Sequence, residues 1–234
     1  HVPVLGTLHP WQMVFILLAL PGFVVAGIVA VMPEPMRKTR VAVKGDPGPT
    51  GAVGLFYRNN KALLSLHHIA TGLSSMVLLG GYSWIAPLLT RVHGWEVETV
   101  GYAVGLVSIV GAPIGLLSGG ALGDRLLERG PHLRLVICAI SVAIAAIAGL
   151  AYPLLGDSRL VVLSFGAMVM FATVPVGVGN AALQHVVPGE IRGRVSAIYY
   201  LCMSGVGMLG PTLIAGTSDI FFPFSTGIAY SIAV

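Results

Sequence analysis

The residues of this chain that could do chemistry are few and lie mostly inside apolar runs. The most prominent are His67 and His68, two imidazoles that could bind a metal ion, an anionic group or a proton. Adjacent residues on a helix point about 100° apart, so the two rings are not expected to chelate one metal. No Asp, Glu or Cys lies nearby to complete a site. We therefore predict no metal site, no cofactor and no enzymatic activity, and titration or anion binding at His67 stays open.

Polar side chains also recur at helical spacing within the apolar runs. At about 100° per residue, those of one run fall within a narrow arc, and a second run repeats the pattern. In lipid, such a stripe is expected to face protein or a water-filled cavity. Substrate contact and ordinary hydrogen bonding between helices are the two alternatives. The predicted cavity residues are His67, Thr71, Ser75 and Tyr82 in the first run, Thr173, Asn180 and Gln184 in the second, and Tyr200 further along the chain.

Charged residues concentrate in one short segment between two apolar runs. They are only 9% of the chain, yet this segment holds Asp124, Arg125, Glu128, Arg129 and Arg134. The pattern is typical of a tight loop that joins two membrane-crossing helices on one side of a bilayer. The preceding run carries glycines that let helix backbones approach closely. The predicted packing glycines are Gly101, Gly105, Gly111, Gly115 and Gly119.

The composition excludes a soluble protein. Hydrophobic residues make up 56% of the 234 residues, and the mean hydropathy is +0.89. A soluble domain carries about 25% charged residues, so this chain cannot cover a surface that faces water. The net charge of +4 does not indicate nucleic acid, because membrane proteins concentrate Lys and Arg in their cytoplasmic loops.

The lengths of the apolar runs predict an all-α, polytopic transmembrane helix bundle. A helix needs about 20 apolar residues to cross a bilayer core. A last run, residues 220–234, would be only about 22 Å long, which is too short to cross. We therefore expect six complete spans, a truncated seventh, and a chain that is a piece of a longer protein. The complete spans are Trp11 to Met32, Ala62 to Leu89, Val100 to Leu122, Leu135 to Leu155, Leu160 to Val187 and Val195 to Gly216.

The basic residues predict the orientation. Of the 13 Lys and Arg residues, all but Arg91 and Arg159 fall in loops on one side of the six spans. Basic loops stay in the cytoplasm, so we expect that side to be cytoplasmic and His1 to lie outside. Plasma membrane, in a bacterium the inner membrane, is the expected location.

Three motifs resemble the major facilitator superfamily. Gly120-Ala-Leu-Gly-Asp-Arg-Leu126 is similar to its G-x-L-x-D-R signature, and residues 188–197, with Gly210-Pro211, resemble its helix eleven. The polar segment 34–61 resembles the central loop between the two six-helix halves. The overall pattern looks most like the spinster-like and organic-anion branches. The signature departs from the family pattern after Arg125, where Leu127 and Glu128 stand in place of a glycine and a basic residue.

The resemblance implies a domain organisation and a gating role. Residues 1–33 would be the last helix of the N-terminal bundle, 34–61 the cytoplasmic central linker, and 62–234 the truncated C-terminal bundle. Its partners would be the lipid bilayer and the missing N-terminal six-helix half. In the family, the signature forms a cytoplasmic latch that breaks as the halves rock. The latch residues carried over are Gly120, Asp124, Arg125 and Arg129.

The functional expectation is a secondary transporter that works by alternating access. All nine acidic residues lie in loops or at helix ends, so coupling to protons is expected to use the missing half. A cavity of hydroxyls, amides, imidazole and aromatic rings favours an organic anion or an amphipathic, lipid-like solute over a cation. A sugar or multidrug carrier is the alternative within the same class. A membrane scaffold or sensor that transports nothing is the alternative class.

Overall fold

The computed structural model describes residues 9–33, 48–127 and 131–221. The regular elements in these ranges are all helical, which confirms the predicted all-α class. The helices are α1 (Pro10–Val31), α2 (Gly48–Asn59), α3 (Lys61–Arg91), α4 (Val97–Leu127), α5 (Pro131–Ala151), α6 (Ser158–Val186), α7 (Arg192–Gly207) and α8 (Leu209–Phe221), with a 3₁₀ turn at Tyr152–Leu154 after α5.

Six segments of the described residues are long and apolar enough to cross a membrane, in agreement with the six predicted spans. They are Trp11–Val31, Lys61–Arg91, Val97–Leu126, Leu133–Leu154, Ser158–Val186 and Arg192–Gly216. The predicted seventh run lies mostly outside the described residues. Where the sequence suggested a break after Gly216, α8 continues to Phe221.

The chain divides into two compact units, His1–Val43 and Lys44–Val234. The described part of the first unit is α1. Pro10 occupies its first position, where a missing N–H costs nothing, and the Gln12 side chain accepts a 2.8 Å hydrogen bond from the backbone N–H of His9. At about 1.5 Å per residue, its 22 residues reach about 33 Å, enough to cross a bilayer core.

Within the second unit, α4 and α6 run parallel and pack closely. Gly111 lies against Gly166, and further along both helices Gly123 lies against Val178. A Cβ on Gly115 or Gly119 would overlap carbonyl oxygens of α6, those of Met170 and Val174. Glycine is therefore required there for the backbones to approach this closely.

Of the predicted packing glycines, Gly111, Gly115 and Gly119 lie at the contact between α4 and α6, whereas Gly101 and Gly105 lie away from it, and a packing role for these two stays a prediction. A Cβ on either of the last two would meet no heavy atom within 4 Å. The α4 residues that contact α6 recur every four residues. Two turns before Gly115, this row of residues includes Val107, which packs against Gly166. Because Gly105 is two residues from Val107, it points about 200° away, to the opposite side of α4.

The helices α3, α7 and α8 form a second parallel set. Gly72 faces Val206, and Gly80 faces Gly210, so contacts advance in the same direction along both chains. The single predicted span from Val195 to Gly216 is divided into α7 and α8 at Met208. Pro211 accounts for the division, because it has no N–H to continue the hydrogen bonds of α7 and fits the first turn of a new helix.

Two apolar cores lie at opposite ends of α3. One contains Ile85, Leu88, Phe165 and Met168. The other gathers where α3 and α7 begin and α6 ends, and contains Leu64, Leu183, Val187, Ile191, Val195 and Tyr199. We call the end of the bundle with the second core the basic end, because α3, α4, α6 and α7 meet their basic loops there. Between the two cores, the buried face of α3 is made of small and polar residues.

Part of the predicted linker is helical. The helix α2 lies within segment 34–61, and its side chains Ala52, Val53, Phe56 and Tyr57 pack against the core at the basic end. Apolar residues at spacings of three and four place one face on the bundle. The Pro- and Gly-rich composition around residues 45–51 hid this face from the sequence analysis. Residues 34–47 lie outside the described part, so the predicted division into three domains stays a prediction.

Candidate functional site

The polar residues at the basic end form a cluster where α2, α3, α6 and α7 meet. His67 lies at its centre, with its ring centroid 5.2 Å from that of Tyr199 and 5.6 Å from that of His68. Its Nε2 lies 3.2 Å from the carbonyl oxygen of Gly179 on α6. A Cβ on Gly179 would lie 3.1 Å from this nitrogen, so glycine lets the imidazole reach the backbone.

The second histidine connects the cluster to α2. His68 Nε2 lies 2.9 Å from the Tyr57 hydroxyl, and its Nδ1 lies 3.4 Å from Nδ1 of His67. The rings therefore converge through their Nδ1 edges, although the two Cβ atoms point apart as expected. Burial raises the pKa of the Tyr57 hydroxyl, with a smaller contribution from Cys202, so Tyr57 remains a protonated phenol at neutral pH.

Two further predicted cavity residues on α3 are buried between helices. Thr71 Oγ1 donates to the carbonyl oxygens of His67 at 2.8 Å and His68 at 3.2 Å, within its own helix. Ser75 lies directly against Gly207, at a point where α7 has no side chain to separate the two helices. Both residues thus have a packing role in this structure, and contact with a substrate stays a prediction for them.

Asn180 and Tyr200 come together as a hydrogen-bonded pair. Asn180 Nδ2 on α6 donates to the Tyr200 hydroxyl on α7 at 2.8 Å, and the Tyr200 side chain is 44% exposed. One turn nearer the basic end, Gln184 Nε2 donates to Ser196 Oγ at 3.3 Å. Three of the predicted cavity residues therefore share one exposed polar face between α6 and α7, and Ser196 is an addition to the prediction.

Tyr82 and Thr173 lie elsewhere. The Tyr82 ring packs edge-to-face on Phe165, with centroids 5.3 Å apart, beside the core at the opposite end of α3. Thr173 Oγ1 lies at the α4–α6 contact, 2.9 Å from the carbonyl oxygen of Met170 and 3.3 Å from that of Ala112. The predicted cavity residues are therefore distributed over four places rather than along one surface.

The predicted latch contains an ion pair that the sequence did not assign. Arg134 on α5 is buried, and its Nη2 lies 3.6 Å from Oδ1 of Asp124 at the end of α4. Its Nε donates a 2.6 Å hydrogen bond to the carbonyl oxygen of Gly123, where the negative end of the helix dipole attracts a cation. Arg125 is exposed, and a Cβ on Gly120 would meet open space. Arg129 lies outside the described residues.

Besides Ser196, sequence reasoning missed Tyr57 and Arg134 as residues of these sites. Tyr57 was hidden in the segment assigned to a linker, although the spacing of Val53, Phe56 and Tyr57 is that of an amphipathic helix. Arg134 was counted among the loop charges, but it lies in the first turn of the apolar helix α5. From there its side chain can turn back toward the end of the preceding helix, α4. For metals, the described residues contain no group of three or more His, Cys, Asp or Glu that could hold an ion.

The fold and these sites describe a polytopic membrane protein with polar faces inside an otherwise apolar bundle. Residues 2–211 match the Major Facilitator Superfamily, and the chain belongs to this family. A protein from Mycolicibacterium smegmatis, described as an MFS-type efflux pump, is 26% identical over 206 residues, which cover 85% of this chain and 48% of that protein.

The fold also matches a solved structure. This chain superimposes on the crystal structure of a bacterial homolog to the human lysosomal transporter Spinster, in an inward-facing and unoccupied conformation, with a TM-score of 0.70. The identity is 20%, over 95% of this chain and 53% of the other, so the likeness shows the fold alone. The chain spans about half the length of both proteins.

Proposed function

We propose that this chain forms part of a secondary transporter that moves a small organic anion or an amphipathic, lipid-like solute by alternating access. Family membership supports the class of protein. The chain spans about half the length of its relatives, so the pathway is proposed to need the helices of a second half, which is its partner along with the bilayer. The proposed location is the plasma membrane, in a bacterium the inner membrane, with the basic end in the cytoplasm.

The pair formed by Asn180 and Tyr200 is the observation that supports a pathway here most strongly. A half-buried amide and an exposed phenol within membrane-crossing helices would be costly to place against lipid. They are therefore expected to face a water-filled cavity or the second half. Gln184 and Ser196 extend the same face toward the basic end, as a route leading to the cytoplasm would require.

The chemistry of this face favours an anion or a neutral amphipathic solute. It offers amide and hydroxyl groups, and the carboxylates within the described ranges, Glu96, Glu98, Asp124, Asp157, Glu190 and Asp219, lie in loops or at helix ends. The interiors of the described membrane-crossing helices therefore offer no acid to pair with a cationic solute. Coupling to protons is proposed to use residues of the second half. The efflux pump from M. smegmatis supports export as the direction of transport.

The segment from Gly120 to Arg134 is proposed to be a latch at the basic end. Asp124 is 63% exposed while its partner Arg134 is buried, so the carboxylate is free to pair with a further helix end on its open side. Rocking of the halves would make and break that second contact, while Arg134 keeps the carboxylate in place. Arg125, which is exposed, would supply a cation on the open side of the latch, and Arg129, which lies outside the described residues, is proposed as a latch residue on the family resemblance.

Transport by the full-length parent protein in proteoliposomes tests the proposal. Organic anions, lysolipids and sugars would be offered with a proton gradient, and Asn180→Ala and Asp124→Asn compared with Gly105→Ala, whose added methyl meets open space. We expect transport of one anionic or amphipathic class, lost in Asn180→Ala and slowed in Asp124→Asn. Sugar transport would favour the sugar carrier. If correctly inserted protein moves no solute, the protein is a scaffold or sensor instead.

A further inference from the structure

Four groups at the basic end form a continuous hydrogen-bonded chain that the proposed transport role does not use. In order, it consists of the Tyr57 hydroxyl on α2, His68 and His67 on α3, and the carbonyl oxygen of Gly179 on α6. Its three separations are 2.9, 3.4 and 3.2 Å. This hydrogen-bonded chain thus links α2 to the last third of the membrane-crossing helix α6 through two imidazoles.

One end of this chain determines the direction of all its hydrogen bonds. The carbonyl of Gly179 can only accept, so Nε2 of His67 must carry a hydrogen and donate. In a neutral imidazole the other nitrogen is then an acceptor, so Nδ1 of His67 accepts from Nδ1 of His68. Nε2 of His68 is left as an acceptor and receives the hydrogen of the Tyr57 hydroxyl. The neutral chain therefore has a single arrangement of hydrogens.

We propose that the His67–His68 pair is a binding site for one proton, and that this proton strengthens the docking of α2 on the bundle. The proton binds Nε2 of His68, the nitrogen that accepts from the Tyr57 hydroxyl in the neutral chain. When a proton from water binds there, the Tyr57 hydroxyl rotates and accepts from the new N–H, and its own hydrogen turns toward solvent. The hydrogen bonds from His68 to His67 and from His67 to Gly179 are unchanged, so the hydrogen-bonded chain accommodates the proton without movement of a helix.

The bound proton changes the strength of the link to α2. A neutral phenol-to-imidazole bond becomes a bond donated by an imidazolium, and hydrogen bonds with one ionised partner are shorter and about twice as strong. The ring centroid of Tyr199 on α7 lies 5.8 Å from that of His68, within the range of about 6 Å at which an aromatic ring stabilises a cation. This ring helps to hold the proton on His68, and the stronger hydrogen bond to Tyr57 favours a docked α2 in the protonated state.

A second proton is excluded by the same geometry. It would have to bind Nδ1 of His67, the one acceptor that remains, and would bring two N–H groups face to face at the 3.4 Å separation. Two adjacent imidazolium charges and one lost hydrogen bond oppose it. The two rings therefore take up one proton as a coupled pair and do not titrate as two independent groups.

The groups around the pair come from each element packed against it. The helix α2 contributes Tyr57, α7 contributes Tyr199 and, beside Tyr57, Cys202, and α6 contributes the Gly179 carbonyl. The described surroundings include Arg58 and Lys61, which are exposed at the junction of α2 and α3, and His185, exposed further along α6. None of these is a carboxylate that would tie the proton to an ion pair, so the proton is held by the imidazoles and the aromatic rings.

A bound metal would be a different reason for two imidazole nitrogens to converge. The described residues supply no third His, Cys, Asp or Glu at this place, whereas a zinc site normally has at least three protein ligands. Tautomers distinguish the two cases, because a metal between the Nδ1 atoms would require both of them to lack a hydrogen. The hydrogen-bonded pair instead requires one Nδ1–H, on His68.

Two measurements on the full-length protein in lipid nanodiscs test the proposal, and neither needs a transported substrate. Nitrogen-15 NMR of labelled histidines reports tautomers and protons between about pH 8 and about pH 5.5, a range that includes the ordinary histidine pKa of about 6.5. Hydrogen exchange of the α2 amides, corrected for the intrinsic pH dependence, reports docking. Since both are independent of transport, failure of this proposal is distinguishable from failure of the proposed function.

We expect an Nδ1–H tautomer for His68, an Nε2–H tautomer for His67, and uptake of one proton by the pair. Opening of α2 should be about fivefold less frequent at the lower pH, as a charge-assisted bond implies. Tyr57→Phe and His68→Gln should abolish this pH dependence, and His185→Gln should leave it unchanged. Uptake of two protons, two Nδ1 atoms without hydrogens, or α2 protection that is insensitive to pH or to Tyr57→Phe would overturn the proposal.

Discussion

The carboxylate of Asp124 and the guanidinium of Arg134 join the ends of two consecutive helices, with Oδ1 and Nη2 3.6 Å apart and the arginine buried beneath the acid. The same arginine donates to the Gly123 carbonyl. Asp124 is thus positioned from within its own hairpin, and its exposed side remains open to a moving partner. Arg134 therefore holds Asp124 in place on one side, and the proposed switching contact of the latch forms on the other side of the carboxylate.

Replacing Arg134 should destabilise the protein more than replacing the neighbouring Arg125. Arg134→Ala removes a hydrogen bond donated by a charged group, worth about 1.5–3 kcal/mol, and leaves the Gly123 carbonyl without this donor. Arg125→Ala is the matched control, because Arg125 is exposed at the end of α4. Thermal unfolding in detergent measures both. Equal changes in Tm for the two variants would show that Arg134 does not support the hairpin.

Glycine substitutions in α4 should have opposite effects on the two sides of the helix. Gly115→Ala and Gly119→Ala place a methyl against carbonyl oxygens of α6, and such overpacking costs about 1–3 kcal/mol. Gly101→Ala and Gly105→Ala meet open space, where alanine favours a helix by about 1 kcal/mol. The midpoint of thermal unfolding should fall in the first pair and hold or rise in the second. A decrease in all four would contradict the assignment of α4's contact side.

Asn180 and Tyr200 should behave as one energetic unit. Asn180→Ala and Tyr200→Phe each remove the same 2.8 Å hydrogen bond, so their effects on stability should not add. A double-mutant cycle in detergent is expected to give a coupling energy of about 1 kcal/mol. A value of zero would mean that the two side chains do not depend on each other. The cycle made with Gln184→Ala and Tyr200→Phe, which share no hydrogen bond, is the control.

Substitution of Thr173 tests whether the predicted polar stripe contacts the substrate at the α4–α6 contact. Thr173→Val keeps the shape of the side chain but removes the hydroxyl that reaches Ala112, so we expect a loss of about 1 kcal/mol in stability. Transport by the full-length protein, measured as KM and kcat, should stay within about twofold of the wild type, because a change of 0.4 kcal/mol is about twofold. A large rise in KM with unchanged stability would instead place Thr173 in contact with the substrate.

The sequence by itself determined the class, the spans and the family of this protein. Six apolar runs of membrane-crossing length have few structural alternatives, because lipid requires each backbone group to be paired within its own helix. The family resemblance came from local motifs such as Gly120 to Leu126, which need no tertiary information. The membrane spans and the family were predictable because they depend on residues that are close together in the sequence.

The tertiary structure decided which side chains meet. Periodicity places Gly101 and Gly115 in the same helix, but the crossing of α4 and α6 selects only one row of glycines for contact. His67 and Asn180 are polar residues on separate helices, and they reach Gly179 and Tyr200 only because antiparallel neighbours bring these positions to one level. Side-chain partners depend on the rotation and height of each helix, which packing between helices sets and the sequence of a single helix does not contain.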